Sequence, residues 1–222
     1  MFDIRDTPIF AALAAHEAKE IYPYFIPETF KKKNVIFSEG DPSEWLYIVR
    51  KGKVKITKLS QEGKEIILEI ISPLDFFGGI AVVRGFPYPA NAVAMEETDA
   101  IKISRKHLLS IMDRFPALMY CMATNIGDRI KGSHETLKSI ALEKVESRIA
   151  SLLIKLSEKA GGKVTEGLMI NMTLTKQDIA EMVGTTVETS IRTMSKLAKA
   201  GLVSVKSGRI IIRDIEKLKR LT

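Results

Sequence analysis

Residues 175–192 read TKQDIAEMVGTTVETSIR, two short helix-like runs interrupted by Val183-Gly184-Thr185-Thr186. Each run opens on a threonine with an acid three residues on, Thr175 with Asp178 and Thr185 with Glu188. That is the spacing of a helix N-terminal capping box. Gly184 supplies the left-handed residue that closes a helix cheaply. Ile179, Ala180 and Val183 of the first run, and Ile191, Met194 and Leu197 of the second, have the spacing of an inward apolar face. Two capped helices joined through a glycine turn predict a helix-turn-helix. Downstream, LVSVKSGRIIIRD (202–214) reads as a hairpin turning at Ser207-Gly208, which makes the motif a winged one. A short basic helix, IEKLKRL, closes the chain.

Charge points the same way. Residues 143–222 hold 15 Lys+Arg against 9 Asp+Glu, or +6, whereas residues 1–142 hold 19 against 18, or +1. Clustered cations release counterions from a phosphate backbone, so the basic end is suited to a polyanion. A merely solvated basic surface would carry the same charge. The second run, with Thr185, Thr186, Glu188, Thr189, Ser190, Arg192, Ser195, Lys196 and Lys199, is nearly all polar or basic. Its first turn is where this motif places base-reading side chains.

Upstream, residues 143–159 read as a helix broken at Gly161-Gly162 and followed by the strand-like VTEGLMINM. Before that, Pro116 opens a long helix in which Met119, Ala123, Ile126, Ile130, Ser133, Leu137 and Ile140 are spaced 4, 3, 4, 3, 4, 3. This heptad seam with one polar member fits a helix paired with its own copy. A helix packed on its own domain would show a similar stripe. Residues 30–103 hold short strand-like runs (VIFSEG, WLYIV, KVKITKL, EIILEII, AVAM, AIKI) separated by glycine and proline turns, the signature of a small antiparallel barrel or roll. A short helical lead-in is expected near residues 8–20. The predicted organisation is therefore a sensing domain over 1–115, a dimerisation helix over 116–142 and a DNA-binding domain over 143–222.

The order small roll, long helix, winged helix-turn-helix resembles the CRP/FNR transcription regulators. The likeness covers about residues 10–213. It is densest in LTKQDIAEMVGTTVETSIRTMSKLAKAGLV (174–203), which follows the family's recognition-motif pattern almost position for position. FSEGDPSEWLYIVRKGKVKI (37–56) resembles the opening of the family's sensor roll. The resemblance implies an α+β fold with an N-terminal cyclic-nucleotide-binding-type β-roll. It also implies a homodimer on inverted-repeat double-stranded DNA and an activator that touches RNA polymerase, with a repressor as the alternative reading set by promoter position; the single cysteine and the lack of a membrane span or signal pattern point to a cytoplasmic location. Glu188 and Arg192 would read base edges, and Thr175, Lys176, Gln177, Thr186 and Thr189 would hold phosphates. Val187 stands where the cyclic-AMP branch has a base-reading arginine, so the helix is similar to the FNR branch there. The Glu188 carboxylate has a second reading, as the partner in a capping box.

The candidate effector pocket is Phe77, Gly78, Gly79, Ile80, Tyr88 and Pro89. By the resemblance, Gly79 replaces the glutamate that binds the ribose hydroxyl, and Tyr88 replaces the arginine that neutralises the cyclic phosphate. A buried phosphate without its cation is costly, so cyclic AMP is disfavoured. Arg84 is off register and is expected to face solvent. The N-terminal stretch has no cysteine, and Cys121 is the only one in the chain, which excludes an iron–sulfur cluster of the oxygen-sensing kind. Cys121 reads as a small buried hydrophobe. His16, His107 and His134 are the three candidate haem ligands. An apolar lining of Phe76, Phe77, Ile80, Phe86 and Tyr88 suits haem or an aromatic metabolite equally, and roll packing explains it with no ligand at all.

Other classes fit poorly. No Ser/His/acid order, phosphate-cradling glycine loop or metal-ligand spacing appears, so no enzyme and no metal site are expected. No apolar run approaches the ~18 residues of a membrane span, and MFDIRDTPIF lacks a signal pattern.

Overall fold

The computed structural model describes residues 2–206 and 208–222, and the chain divides at Gly132/Ser133 into two units. In the first, a 3-10 turn at Ile4–Asp6 is followed by α1 (Ala15–Ile21). The helix starts later than expected: Thr7 is extended before Pro8 at φ −88°, ψ 141°, and α1 begins only after the turns that follow. Residues 8–13 instead form turns that bury Ile9, Phe10 and Leu13.

The roll comprises β1 (Ile26–Phe30), β2 (Val35–Phe37), β3 (Trp45–Lys51), β4 (Val54–Leu59), β5 (Glu65–Ile71), β6 (Phe76–Phe77), the short α2 (Gly79–Arg84), β7 (Asn91–Ala94) and β8 (Thr98–Ser104). One antiparallel sheet runs β1-β8-β3-β6 and the other β2-β7-β4-β5. β1 lies outside the sequence-predicted strand region because Pro27 argues against a strand. It is an edge strand, where a residue without an N–H is tolerated. Along β3, Leu46, Tyr47, Ile48 and Val49 are all buried, so both faces of this central strand are covered. The rings of Tyr47 and Phe77 from the first sheet meet Phe37 from the second at 6.0 and 5.8 Å, closing the roll with aromatic packing.

α3 (Arg105–Arg114) leaves the roll, capped by Ser104, whose Oγ accepts from His107 N. α4 (Ala117–Leu142) follows Pro116, whose carbonyl accepts from Met119 N in the first turn. Leu118 and Met122 are buried, and Ile126 packs against the core of the first unit. Each full burial of this kind stabilises by about 1.5–3 kcal/mol.

The second unit contains α5 (Val145–Ala160), β9 (Gly161–Val164), β10 (Gly167–Thr173), α6 (Lys176–Val183), α7 (Val187–Lys199), β11 (Val203–Lys206), β12 (Arg209–Ile212) and α8 (Ile215–Lys219). Gly161 and Gly162 end α5 as expected, but they then pair with Ile170 and Met169 as the start of β9. Ile149, Ala150 and Leu153 of α5 are buried along with Ile179, Ala180, Val183, Met194 and Leu197 of the helix pair. The sheet runs β11-β12-β10-β9. β11 and β12 pair from Val203↔Ile212 to Lys206↔Arg209, so the wing hairpin is present; of its predicted turn, Ser207 lies outside the described residues. Among the described residues, no helix is long and apolar enough to cross a membrane.

Candidate functional site

The helix pair is set by two caps and one glycine. Thr175 Oγ1 accepts from Asp178 N at 3.0 Å, and Asp178 Oδ2 accepts from Thr175 N at 2.8 Å, completing the predicted box. Gly184 ends α6 in the left-handed region, φ 64°, ψ 52°, a conformation that costs a side-chain-bearing residue roughly 1 kcal/mol or more. The second cap differs from expectation by one residue. Thr186, not Thr185, is the N-cap of α7, and its Oγ1 accepts from Thr189 N at 3.2 Å. The chain needs Thr185 to leave the left-handed glycine before the helix can start.

That shift changes the status of Glu188. It lies in the first turn of α7 without a capping-box role, exposed and with no hydrogen bond among the described residues. Its carboxylate is free to accept. Arg192, one turn later, is also exposed. At about 100° per residue, Val187, Ile191, Ser195, Glu188 and Arg192 occupy one arc of α7, and Ser190, Thr193, Met194 and Leu197 occupy the opposite, buried arc. Ile191 therefore does not face inward as its spacing suggested. It is 45% exposed, because Ser190 and Thr193 take the inward positions beside Met194.

The predicted phosphate-holding residues cluster at the two helix starts. Thr175, Gln177 and Thr186 are exposed, and Lys176 and Thr189 half-buried. Gln177 donates to the buried Glu181 at 2.6 Å, so one of its N–H groups is engaged. The unpaired N–H groups of a helix's first turn favour anions in the same place. Lys196 is tied to Glu146 of α5 at 2.6 Å, which pins α7 to the domain. None of the DNA-contact residues expected from the sequence lies in the wing, yet Lys206 and Arg209 pair across its end, both exposed. A basic pair flanking a Ser-Gly turn was the available signal.

The predicted dimer seam is not one uniform stripe. Met119 (48%), Ile130 (50%) and Leu137 (65%) are large apolar residues exposed on α4, and Ala123 and Ser133 are exposed with them. Ile126 is partly buried against the first unit's own core. Ile140 is half-buried in the second unit, close to the Gly184 turn. The two readings of the stripe thus divide it: Leu118, Met122 and Ile126 face the chain's own core, and the exposed members lie beside them.

The roll interior bears on the effector. Tyr88 is buried and stacks on Phe37 at 3.6 Å and 8°, while Tyr47 stacks on Phe77 at 5.1 Å and 14°. The Tyr88 hydroxyl donates to Trp45 O at 2.5 Å and accepts from Trp45 N at 3.2 Å. Burial pushes the Tyr88 phenol up to about 12, and burial raises the Tyr47 phenol as well. A Cβ on Gly79 would lie 2.9 Å from the Phe76 ring and 3.2 Å from Leu46, so a glutamate does not fit there without repacking. Gly78 is half-buried, whereas Ile80, Phe86 and Pro89 are exposed and do not line the interior. Arg84 is exposed as expected, beside an open cleft of about 510 Å³ between residues 40–44 and 84–87, floored by Arg105. Arg129 on α4 donates to Phe76 O at 2.6 Å and to Glu69 at 3.2 Å, and its guanidinium lies over the Phe76 ring at 4.8 Å.

Haem does not fit these residues. His16 and His134 are exposed, and His107 has Nδ1 3.2 Å from Ser104 Oγ with its ring against Tyr24. No histidine faces the aromatic interior. Among the described residues, no group of three His, Cys, Asp or Glu is placed to hold a metal. Cys121 is half-buried, less enclosed than expected.

A roll, a long helix and a winged reading helix define a two-domain DNA-binding transcription regulator. The cyclic nucleotide-binding domain family matches residues 27–115 and the Crp-like helix-turn-helix domain family residues 147–221. The chain is 28% identical over 194 residues to the CRP-like cAMP-activated global transcriptional regulator of Mycobacterium tuberculosis, covering 87% of each. It is 26% identical to the cyclic AMP receptor protein of Thermus thermophilus, covering 98% of each. Among solved structures, FixK2 of Bradyrhizobium japonicum superposes with a TM-score of 0.80 at 21% identity, covering 89% of this chain and 96% of that one, a likeness of fold. The chain belongs to the CRP/FNR family of transcription regulators.

Proposed function

We propose that the chain acts as a homodimer on inverted-repeat double-stranded DNA, with α7 in the major groove and its affinity set by a signal at the roll. The observation that carries this reading is the Glu188 carboxylate, left free by the one-residue shift of the α7 cap and placed on one exposed arc with Arg192. A carboxylate accepts from cytosine N4, and a guanidinium donates as a fork to guanine N7 and O6. Val187 beside them suits a thymine methyl, so the half-site contains a T-G step. Its inverted copy lies about one helical turn away. Thr175, Lys176, Gln177, Thr186 and Thr189 hold the phosphates.

The second copy pairs along Met119, Ala123, Ile130, Ser133 and Leu137, with Ile126 and Ile140 at the margins of the contact. Residues 1–115 sense, 116–142 pair the chains and 143–222 read DNA. Both relatives above are named for cyclic AMP, but that effector does not carry over. Tyr88 occupies the phosphate anchor's place with its hydroxyl committed to Trp45, and Gly79 is walled by Phe76 and Leu46. The regulator is an activator that touches RNA polymerase and works in the cytoplasm. Selection from random duplexes tests the central claim: an enriched inverted repeat with T-G half-sites is expected, and enrichment of no repeat refutes it.

A further inference from the structure

Ile191 is on the wrong side of α7 for a core residue. Its spacing from Met194 and Leu197 belongs to the inward face, yet it is 45% exposed while its neighbour Ser190 is fully buried. On the exposed arc it follows Val187 by four residues, so the two form an apolar pair on one helix face. It lies three residues after Glu188 and one before Arg192. An isoleucine has no hydrogen-bonding group, and its branched Cβ holds χ1 nearly fixed. In a major groove, the surface suited to such a side chain is the C5-methyl of thymine.

We propose that Ile191 is a specificity-determining residue that reads a thymine methyl next to the base pairs engaged by Glu188 and Arg192. This rests on the reading of α7 as the DNA-reading helix. At about 1.5 Å rise per residue, Ile191 lies about 4.5 Å along the axis from Glu188. Base pairs stack about 3.4 Å apart, so the methyl belongs one or two steps from the pair that Glu188 contacts. The competing account is an ordinary exposed isoleucine, which is common on protein surfaces and adds no methyl dependence to that of Val187.

Deoxyuridine separates the two, because it differs from thymidine only by that methyl. In the duplex selected by the full-length wild-type protein, each thymine of one half-site is replaced singly by deoxyuridine, and affinity is read by fluorescence anisotropy at fixed salt. Beyond the thymine assigned to Val187, one further position should weaken wild-type binding about fourfold, the burial of one methyl-sized group at about 0.8 kcal/mol converted at 1.4 kcal/mol per tenfold. Ile191→Ala should lose that sensitivity and keep the guanine preference, with Ile191→Ser as the second variant. Specific binding in which no thymine methyl matters beyond the one assigned to Val187 overturns the role of Ile191 alone, as does an effect unchanged in both variants. A wild type that selects no specific duplex overturns the reading of α7 itself.

Discussion

Ile130→Asp tests the proposed dimer with little disturbance of the chain's own fold. Ile130 is 50% exposed on α4, whereas Ile126 packs against the core of the first unit, so aspartate at 126 would confound folding with pairing. Full burial of an isoleucine is worth about 1.5–3 kcal/mol. With half of the side chain already covered, pairing gains about 1 kcal/mol per copy, or about 2 kcal/mol for the dimer. Aspartate removes this and brings two carboxylates together near a two-fold axis, where desolvation costs several kcal/mol per unpaired ion. Of the two adjacent cations, Arg129 is engaged with Glu69 and Phe76, and Lys131 is exposed to solvent. A combined penalty of about 5 kcal/mol weakens the dimer by more than about 10³-fold. On the monomer, an exposed helical substitution costs about 0.5–1 kcal/mol. Sedimentation velocity across a concentration series should find a monomer whose melting is close to wild type and which loses specific DNA binding. A protein that dimerises over the wild-type concentration range refutes the seam.

Arg192→Ala should lose about 1–3 kcal/mol at one G·C pair and relax choice there, read by competition with single-base variants. Lys176→Ala should weaken all sequences alike and flatten the salt slope by about one unit; a guanine-selective effect from Lys176, or none from Arg192, would reverse these roles. Calorimetric titration with cyclic AMP should give no heat of binding and no gain in DNA affinity, and micromolar binding would overturn the argument from Gly79 and Tyr88. Tyr88→Phe leaves the Trp45 N–H and carbonyl without their buried partner, which should cost about 1–3 kcal/mol in denaturant unfolding. The phenol's folded pKa of about 12 lies above its unfolded value of about 10. The contribution is therefore fully present below pH 10 and falls by about 1.4 kcal/mol per unit from there to pH 12. Tyr88→Phe should shallow that fall, and an identical slope would show that Tyr88 does not titrate late.

The strands of the roll and the first cap were legible because each rests on local chemistry. Thr175 and Asp178 satisfy each other within one turn, and most of the runs from Trp45 to Ser104 are bounded by glycine or proline. The second cap was legible only to within a residue. Thr185 and Thr186 are chemically equal candidates, and the left-handed exit from Gly184 decides between them. β1 was hidden by Pro27, since proline reads as a breaker until the strand is known to be an edge. Apolar spacing alone points Ile191 inward, whereas Ser190 and Thr193 hold that face. The division of the α4 stripe depends on which neighbours reach Leu118, Met122 and Ile126, and no local pattern carries that. The filled state of the roll was equally invisible, because the Phe37–Tyr88 stack joins residues fifty-one positions apart in sequence.

Pro27 has a consequence for how copies of this chain meet while folding. The outer edge of β1 would otherwise offer a ladder of main-chain donors and acceptors to any extended segment, including the same strand from another molecule. A missing N–H and a fixed backbone angle at the second residue of a five-residue strand interrupt that ladder. If α4 pairs with its copy as proposed, the chain keeps that pairing helix while its sheet edge refuses a copy, which separates productive pairing from fibrillar association. A strand-forming residue at position 27 would lower the protein concentration at which refolding yields aggregate, with the native fold little changed.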